Sequence, residues 1–509
     1  MDSSVRENRF TFSAWFFLRL LGLIHLIAFV SLWTQLAGLV GPHGLLPAQT
    51  FFAAIHQQLG DRAWLAVPSL CWVFGAGKFL TVLCASGVAL SLLVFAGIAP
   101  AACLALLWVC YLSLCGAGQI FFNFQWDALL LEATLLSIFL APWSLLPLWQ
   151  RFEPPRLARL LLWWLLFRLM FLSGMVKVTS GDPTWRTFTA LTFHYETQPL
   201  PTSLAWFVHQ FPVWFHRASC AGMFAIELVA PFLLFAPRAF RHRAALFIVA
   251  LMVLIALTGN YTFFNFLTVA LCALCLDDAW WSRLLSVGRD RWARRILPKG
   301  LGCEAARPAV APYLSTRPKN RFLQTWSLRA FAAFAFSYTA LITWPALVPT
   351  SPLGESLAPL ESTLAPLRSF NTYGLFAVMT NPRPELIIEG SDDGRDWRAY
   401  EFPDKPGDLL HAPTWVAPFQ PRLDWQLWFA ALEPPAQNPW VLTLCEHLLR
   451  GTPEVLGLIA KNPFPRTPPR LIRVVRYEYH FTDRATRART GQWWRRTPVD
   501  FYVQPLALR

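Results

Sequence analysis

The sequence predicts a polytopic α-helical membrane bundle of about nine spans, followed by a β-rich α+β soluble C-terminal domain. Three observations predict it. The chain of 509 residues is 55% hydrophobic, with a mean hydropathy of +0.39, which is too apolar for a soluble protein of that length. The apolar residues are gathered into runs close to the ~20 residues that cross a bilayer. After about residue 367 those runs give way to alternation with a period of two.

The first span covers about 15–40 and follows Arg6 and Arg9. It is longer than a signal-peptide core and lacks a small-residue cleavage site, so it reads as retained. The next eight cover about 79–97, 99–117, 128–148, 157–178, 220–236, 243–258, 262–276 and 325–347. Trp64–Gly77 is apolar but short, and reads as interfacial or re-entrant. Basic residues test this order. Arg151, Arg156 and Arg159 flank one loop, and Arg238, Arg241 and Arg243 another. A third loop carries Arg283, Arg289, Arg291, Arg294, Arg295, Lys299, Arg317, Lys319 and Arg321. The positive-inside rule places all three in the cytoplasm. Nine spans with a cytoplasmic N-terminus satisfy them together. The loops 41–78 and 179–219, and everything after about 348, then face the other side.

These readings divide the chain into a membrane domain over 1–348, a linker over 349–366 and an extracytoplasmic β-rich domain over 367–509. Pro, Ser, Thr and Leu dominate Pro345–Pro366, as in a linker. "ELIIEGSDDGRDWRAYEF" (Glu385–Phe402) reads as two strands joined by a Ser-Asp-Asp-Gly turn. In "RVVRYEYHF", Val475, Tyr477, Tyr479 and Phe481 alternate with polar residues, as in a half-buried strand. Between them two short helices are expected, with Pro439 and Pro453 near their starts and Gly451 and Asn462 at their stops.

The formal net charge is +14. Much of the excess lies in short loops between apolar runs, where it sets topology, and no nucleic-acid-binding module accompanies it. Nucleic acid is therefore not an expected partner. Eight of the ten cysteines lie in apolar runs, and Cys445 alone falls in the C-terminal domain, so no internal disulfide is expected there. Cys272 and Cys275 have redox spacing but sit in an apolar helix, where thiols pack.

An ionisable group inside a span is costly and marks function by default. Asp127 precedes "ALLLE" and reads as a helix N-cap. Glu132 lies deeper. Arg168 and Glu227 fall at similar depth near mid-span, and Lys177 and Glu132 both fall towards the outside, so those are the expected pairs. Two readings stay open: structural ion pairs, or a hydrated cavity with acid–base chemistry. His194 and Glu196 form a candidate outer-loop site in "TFHYETQPLP". His25, His194, His209 and His216 lack metal-ligand spacing, and no G-x-S-x-G, Walker A, G-x-G-x-x-G or H-E-x-x-H motif occurs. No metal or cofactor is expected. "NYT" at Asn260–Thr262 matches a glycosylation acceptor, in a turn too close to the bilayer for modification. Trp415, Phe419, Trp425, Trp428 and Phe429 are either the core of the β-rich domain or a docking face for a client protein or lipid.

The stretches "GQIFFNFQWDALLLEATLLSIFLAPW" (Gly118–Trp143), "LTGNYTFFNFLT" (Leu257–Thr268), "FNTYGLFAVMT" (Phe370–Thr380), "QPRLDWQLWFAAL" (Gln420–Leu432) and "NPFP" (Asn462–Pro465) resemble the lipase maturation factor family, in order and over nearly the whole chain. "SGMVKVTSGDPTWRTFTALTFHYETQPLP" (Ser173–Pro201) adds to the resemblance. It implies a chaperone-like maturation factor, not a lipase: animal members sit in the endoplasmic reticulum membrane and help secreted lipases fold and assemble. The expected partners are then a secreted client, such as a lipase, and the lipid bilayer. The "QPLALR" ending, without a K-D-E-L-type signal, leads to the expectation of a bacterial homologue in the inner membrane, its C-terminal domain on the non-cytoplasmic side. A looser resemblance to vitamin K-dependent carboxylase-like membrane domains implies an alternative, a multi-span membrane enzyme. That alternative calls for one pocket joining Glu132, Lys177 and His194. A transporter would need a polar path at the midplane, for which Arg168 and Glu227 alone are thin support.

Overall fold

The structure is a computed structural model that describes residues 9–147, 152–285, 321–348, 351 and 353–508. The N-terminal part is helical. In chain order its helices are α1 (Thr11–Trp33), α2 (Leu36–Val40), α3 (Ala48–Leu59), α4 (Phe79–Ala96), α5 (Pro100–Ala117), α6 (Gln125–Leu140), α7 (Arg156–Thr179), α8 (Ala190–Thr197), α9 (Ser203–His209), α10 (Val213–Leu233), α11 (Arg238–Thr258), α12 (Phe264–Ala273), α13 (Asp278–Leu285) and α14 (Arg321–Leu347). Trp64–Gly77 forms short helical turns at Ala63–Ala66 and Cys71–Phe74.

Local chemistry explains the turns. The α4–α5 connection follows the N-terminal proline, C-terminal glycine rule: Gly97 is left-handed at φ 84° and Pro100 opens α5. Arg19 donates to Val94 O and Ala96 O, satisfying carbonyls at the end of α4. Small residues let helices approach closely. A Cβ on Gly87 would sit 2.2 Å from the Phe29 ring, so α1 and α4 pack through that gap.

Among the described residues, five helices are long and apolar enough to cross a membrane: α1, α4, α5, α7 and α11. A sixth counts if α12 and α13, bent by 103°, form one span. Helices α6, α10 and α14 also stand at predicted spans but are not among the five. The region is thus a helical membrane region of five to six such helices, short of the nine expected. Most of the third basic loop lies outside the described residues. The segment expected as a linker carries a further helix, α15 (Leu353–Leu364).

The C-terminal part holds a four-stranded antiparallel sheet. Its strands are β1 (Pro384–Ser391), β2 (Arg398–Ala399), β3 (Leu471–Phe481) and β4 (Trp494–Leu506), in the order β2-β1-β3-β4. Asp393 Oδ1 accepts the backbone N–H groups of Arg395 and Asp396, closing the predicted turn between β1 and β2. In β3 the simple alternation fails: Val474 and Val475 are both buried and Tyr477 is half-buried. Register shifts against β4 on either side of Val475 account for the slip. Between β2 and β3 lie α16 (Arg422–Leu432) and α17 (Trp440–Arg450), the latter ended by left-handed Gly451. The second expected helix is a single turn, Pro453–Leu456, and stops before Asn462.

Candidate functional site

The charged residues singled out in the spans meet the C-terminal chain or each other at three buried joints. The first is Asp127. It is not the N-cap of α6: Phe124 holds that position, and Asp127 lies in the first turn, where a carboxylate still suits the helix dipole. Its oxygens are taken by Arg422 of α16, with Nη1 at 3.2 Å from Oδ2 and Nη2 at 3.1 Å from Oδ1. Tyr111 donates its hydroxyl to Oδ1 at 2.5 Å. Arg422 also donates to Phe121 O and stacks 3.6 Å over the Phe122 ring. Both members of the pair are fully buried, so each depends on the other for its solvation.

The second joint is Glu132. Its Oε1 accepts from Arg168 Nη2. Its Oε2 accepts from Tyr373 Oη at 2.7 Å, Asn371 Nδ2 at 3.1 Å and Asn371 N at 3.2 Å. Arg168 Nη1 in turn donates to Asn371 O at 2.6 Å. The third joint lies within the membrane region: Lys177 Nζ donates to Glu227 Oε2 at 2.9 Å, Glu227 Oε1 at 3.1 Å and Ser173 O at 2.8 Å.

These pairs exchange the expected partners. Glu132 meets Arg168, not Lys177, and Glu227 meets Lys177, not Arg168. The starting point of α6 explains it. Helix α6 begins at Gln125, so Glu132 is its eighth residue of 16 and lies mid-helix beside Arg168. Arg168 and Lys177 are nine residues apart, about two and a half turns, so they leave opposite faces of α7. One face meets α6 and the other meets α10.

Beyond these three joints the clasp continues. His480 Nδ1 donates to Glu196 Oε1 at 3.0 Å, and Phe481 N donates to Oε2 at 2.5 Å. Burial alone would raise the Glu196 carboxyl, but the His480 hydrogen bond, the His209 charge and the Phe481 N–H hold it below its ordinary value. Glu196 lifts the His480 imidazole above its own. Arg383 is fully buried and donates to Glu196 O and Gln198 O, to Pro199 O at 2.9 Å and to Glu385 Oε1 at 2.7 Å. Asn260 is buried too. Its Nδ2 donates to Leu200 O and Thr414 O, and its Oδ1 accepts from Val416 N and Ala417 N. The matched glycosylation acceptor is thereby closed off within the fold.

His194 points elsewhere. It lines a cavity of about 400 Å³ together with Lys177 and Glu227. Glu132 is absent from that cavity, so the single pocket required by the carboxylase-like alternative does not form. Of the five candidate client-surface residues, Trp415 is exposed at 57% and Phe429 at 38%, and Phe419 is half-buried. Trp425 and Trp428 are buried: Trp425 packs edge-on against Trp126 at 4.8 Å, and Trp428 Nε1 donates to Thr197 O at 3.1 Å. They form no open docking face, because α16 turns them towards α6 and α8. Among the described residues no group of His, Cys, Asp and Glu is arranged to hold a metal ion.

The sequence patterns single out Asn260 only as a glycosylation match, and Arg422, Asn371, Tyr373 and Arg383 not at all. Four of these five lie inside stretches quoted above for the resemblance, so a signal was present. Residues 12–283 match the family model described as the lipase maturation factor transmembrane domain, and residues 369–504 match its C-terminal domain. The chain belongs to the lipase maturation factor family. It is 35% identical to lipase maturation factor 2 of Homo sapiens, over 97% of this chain and 82% of that protein. It is 33% identical to lipase maturation factor 1 of Mus musculus, over 96% of this chain and 86% of that protein. No solved structure matches. In lipase maturation factor terms, the Asp127 and Glu132 joints fasten the family's transmembrane domain to its C-terminal domain. With its long apolar helices, the chain is an integral membrane protein.

Proposed function

We propose that this chain is a membrane-anchored maturation factor that helps a secreted lipase fold or assemble. The reading joins the family to one observation. The C-terminal module is held on the membrane helices by buried ion pairs and hydrogen bonds at Asp127, Glu132, Asp182 and Glu196. Such a mount keeps a client-facing module at the membrane surface, where newly exported chains emerge. Nine spans over 1–348, with residues 367–509 on the non-cytoplasmic side, agree with the basic loops. In a eukaryotic cell that membrane is the endoplasmic reticulum; in a bacterium it is the inner membrane. Trp415 and Phe429 are the exposed candidates placed to meet a client, Trp415 the more open of the two. Without an ATP motif, assistance would run on binding energy alone.

The test is the activity of an exported lipase per molecule exported, in cells with and without the chain. The expected result is a fall in specific activity without it, restored by the wild-type chain. Equal specific activity in both cells would refute the reading.

A further inference from the structure

The 400 Å³ cavity lies among α7, α8, α10, α11 and the start of α12, and its size falls in the range of about 300–1,000 Å³ that holds small molecules. Its walls are mostly apolar, with Leu169, Met170, Met223, Ile226, Leu251 and Ile255 among them. Polar groups in the wall are largely satisfied. Lys177 and Glu227 neutralise each other. The His194 ring lies 3.3 Å from the Tyr261 hydroxyl. Burial, followed by the Lys177 charge, pushes its imidazole down to about 4, so it is uncharged at neutral pH.

Asn265 is different. It lines the same cavity and is 2% exposed, yet neither its Oδ1 nor its Nδ2 has a hydrogen-bond partner. A buried amide bare at both ends is a costly arrangement. Gly222 of α10 lines the cavity at an exposed position, and a Cβ added there would meet nothing within 4 Å, so it stands at the cavity's mouth. Leu204 and Leu254 also line the cavity and are themselves exposed at 39% and 60%, so it opens between α9 and α11.

We propose that this cavity binds a monoacyl lipid with an uncharged, hydroxyl-bearing head, the hydroxyls on the Asn265 amide and the chain running towards Leu204 and Leu254. A hydroxyl both donates and accepts, so it answers both ends of a carboxamide. No unpaired charge waits in the wall for an anionic or cationic head. The apolar remainder suits a hydrocarbon chain, which buries surface without needing partners.

The test uses the purified full chain in phosphatidylcholine nanodiscs, with 1-oleoylglycerol as the probe and oleate as the comparison. Thermal unfolding is measured for the wild type, Gly222→Leu and Asn265→Leu. In the wild type, 1-oleoylglycerol at about 100 times Kd should raise Tm by several degrees. Gly222→Leu narrows the mouth and Asn265→Leu removes the bare amide. Both should lose the response while folding, with Asn265→Leu melting at or above the wild type in the absence of probe. No shift in the wild type, or an equal shift in both variants, overturns the proposal. An equal or larger shift with oleate overturns the uncharged head. No client enters the assay, so a failure here leaves the maturation-factor reading standing.

Discussion

Replacing Arg422 with methionine should open the joint between the two family domains. The substitution removes a bidentate partner from a carboxylate that stays fully buried. Breaking a buried pair on one side costs about 3–5 kcal/mol. Asp127 keeps only the Tyr111 hydroxyl, and Phe121 O loses its donor. The stacking lost over Phe122 is partly offset by methionine, whose thioether also packs well on a ring. The net loss should therefore be about 4 kcal/mol. Removing the stranded charge as well should recover most of it, because well-packed apolar replacements of a whole buried pair are often neutral or better. Arg422→Met with Asp127→Leu should thus lie within about 1–2 kcal/mol of the wild type, a coupling of at least 2 kcal/mol. Unfolding of the wild type, the two single variants and the double variant in detergent gives the cycle, and protease cleavage ahead of residue 367 reports release of the C-terminal module. Additive losses, or an Arg422→Met protein as stable and as resistant as the wild type, would refute the reasoning.

The exchanged pairing has its own test: Glu132→Gln and Arg168→Met should be strongly non-additive in stability, whereas Glu132→Gln and Lys177→Met should add within about 0.5 kcal/mol. Burial, then the neighbouring Asp404 carboxyl, pushes Asp424 up to about 7 despite two backbone N–H donors. The folded state therefore holds this proton more tightly than the unfolded chain, and the contribution is full below the ordinary carboxylate value and lost as pH rises through about 7. Asp424→Asn keeps an Oδ1 for Asp404 N and Lys405 N and cannot ionise. Its stability relative to the wild type should grow by about 1.4 kcal/mol per pH unit between pH 4 and 7 and then level off; a difference independent of pH would count against a raised carboxyl. Trp425→Ala should cost about 3–5 kcal/mol by denaturant unfolding and Trp415→Ala less than about 0.5, whereas lipase maturation should respond to Trp415→Ala; the reverse order would return Trp425 to the candidate client surface.

The parts of this fold legible in the sequence are those set by local physics. Apolar runs near 20 residues announce helices, and helices stand at all nine predicted positions among the described residues. The β1–β2 hairpin is announced by a turn whose Asp393 bonds its own backbone. What local patterns do not carry is a partner far along the chain. Asp127 and Arg422 are 295 residues apart, and no periodicity links them. β4 and α16 carry no periodic signal of their own: β4 is mostly exposed and interrupted by Pro498 and Pro505, and α16 is buried nearly all round.

The exchanged pairing is a matter of depth, set by where α6 begins. Predicted span ends place Glu132 towards one end of its span, whereas α6 begins at Gln125 and puts it at mid-helix. Arg168 and Lys177, nine positions apart, leave opposite faces of α7, but that geometry fits either pairing, so depth alone decides between them. The family stretches hold an unused fact. Asp127 and Glu132 lie in one of them, Asn371 and Tyr373 in a second, Arg422 in a third and Asn260 in a fourth. Taken one at a time they mark a family. In the fold the first bonds to the second and the third, and Asn260 bonds the backbone just ahead of the third. A carboxylate inside an apolar run is a demand for a partner, and when no neighbouring span supplies every hydrogen bond, the search belongs in the polar residues of the distant stretches. On that reasoning the two buried carboxylates of α6 are the sockets into which the C-terminal chain is plugged.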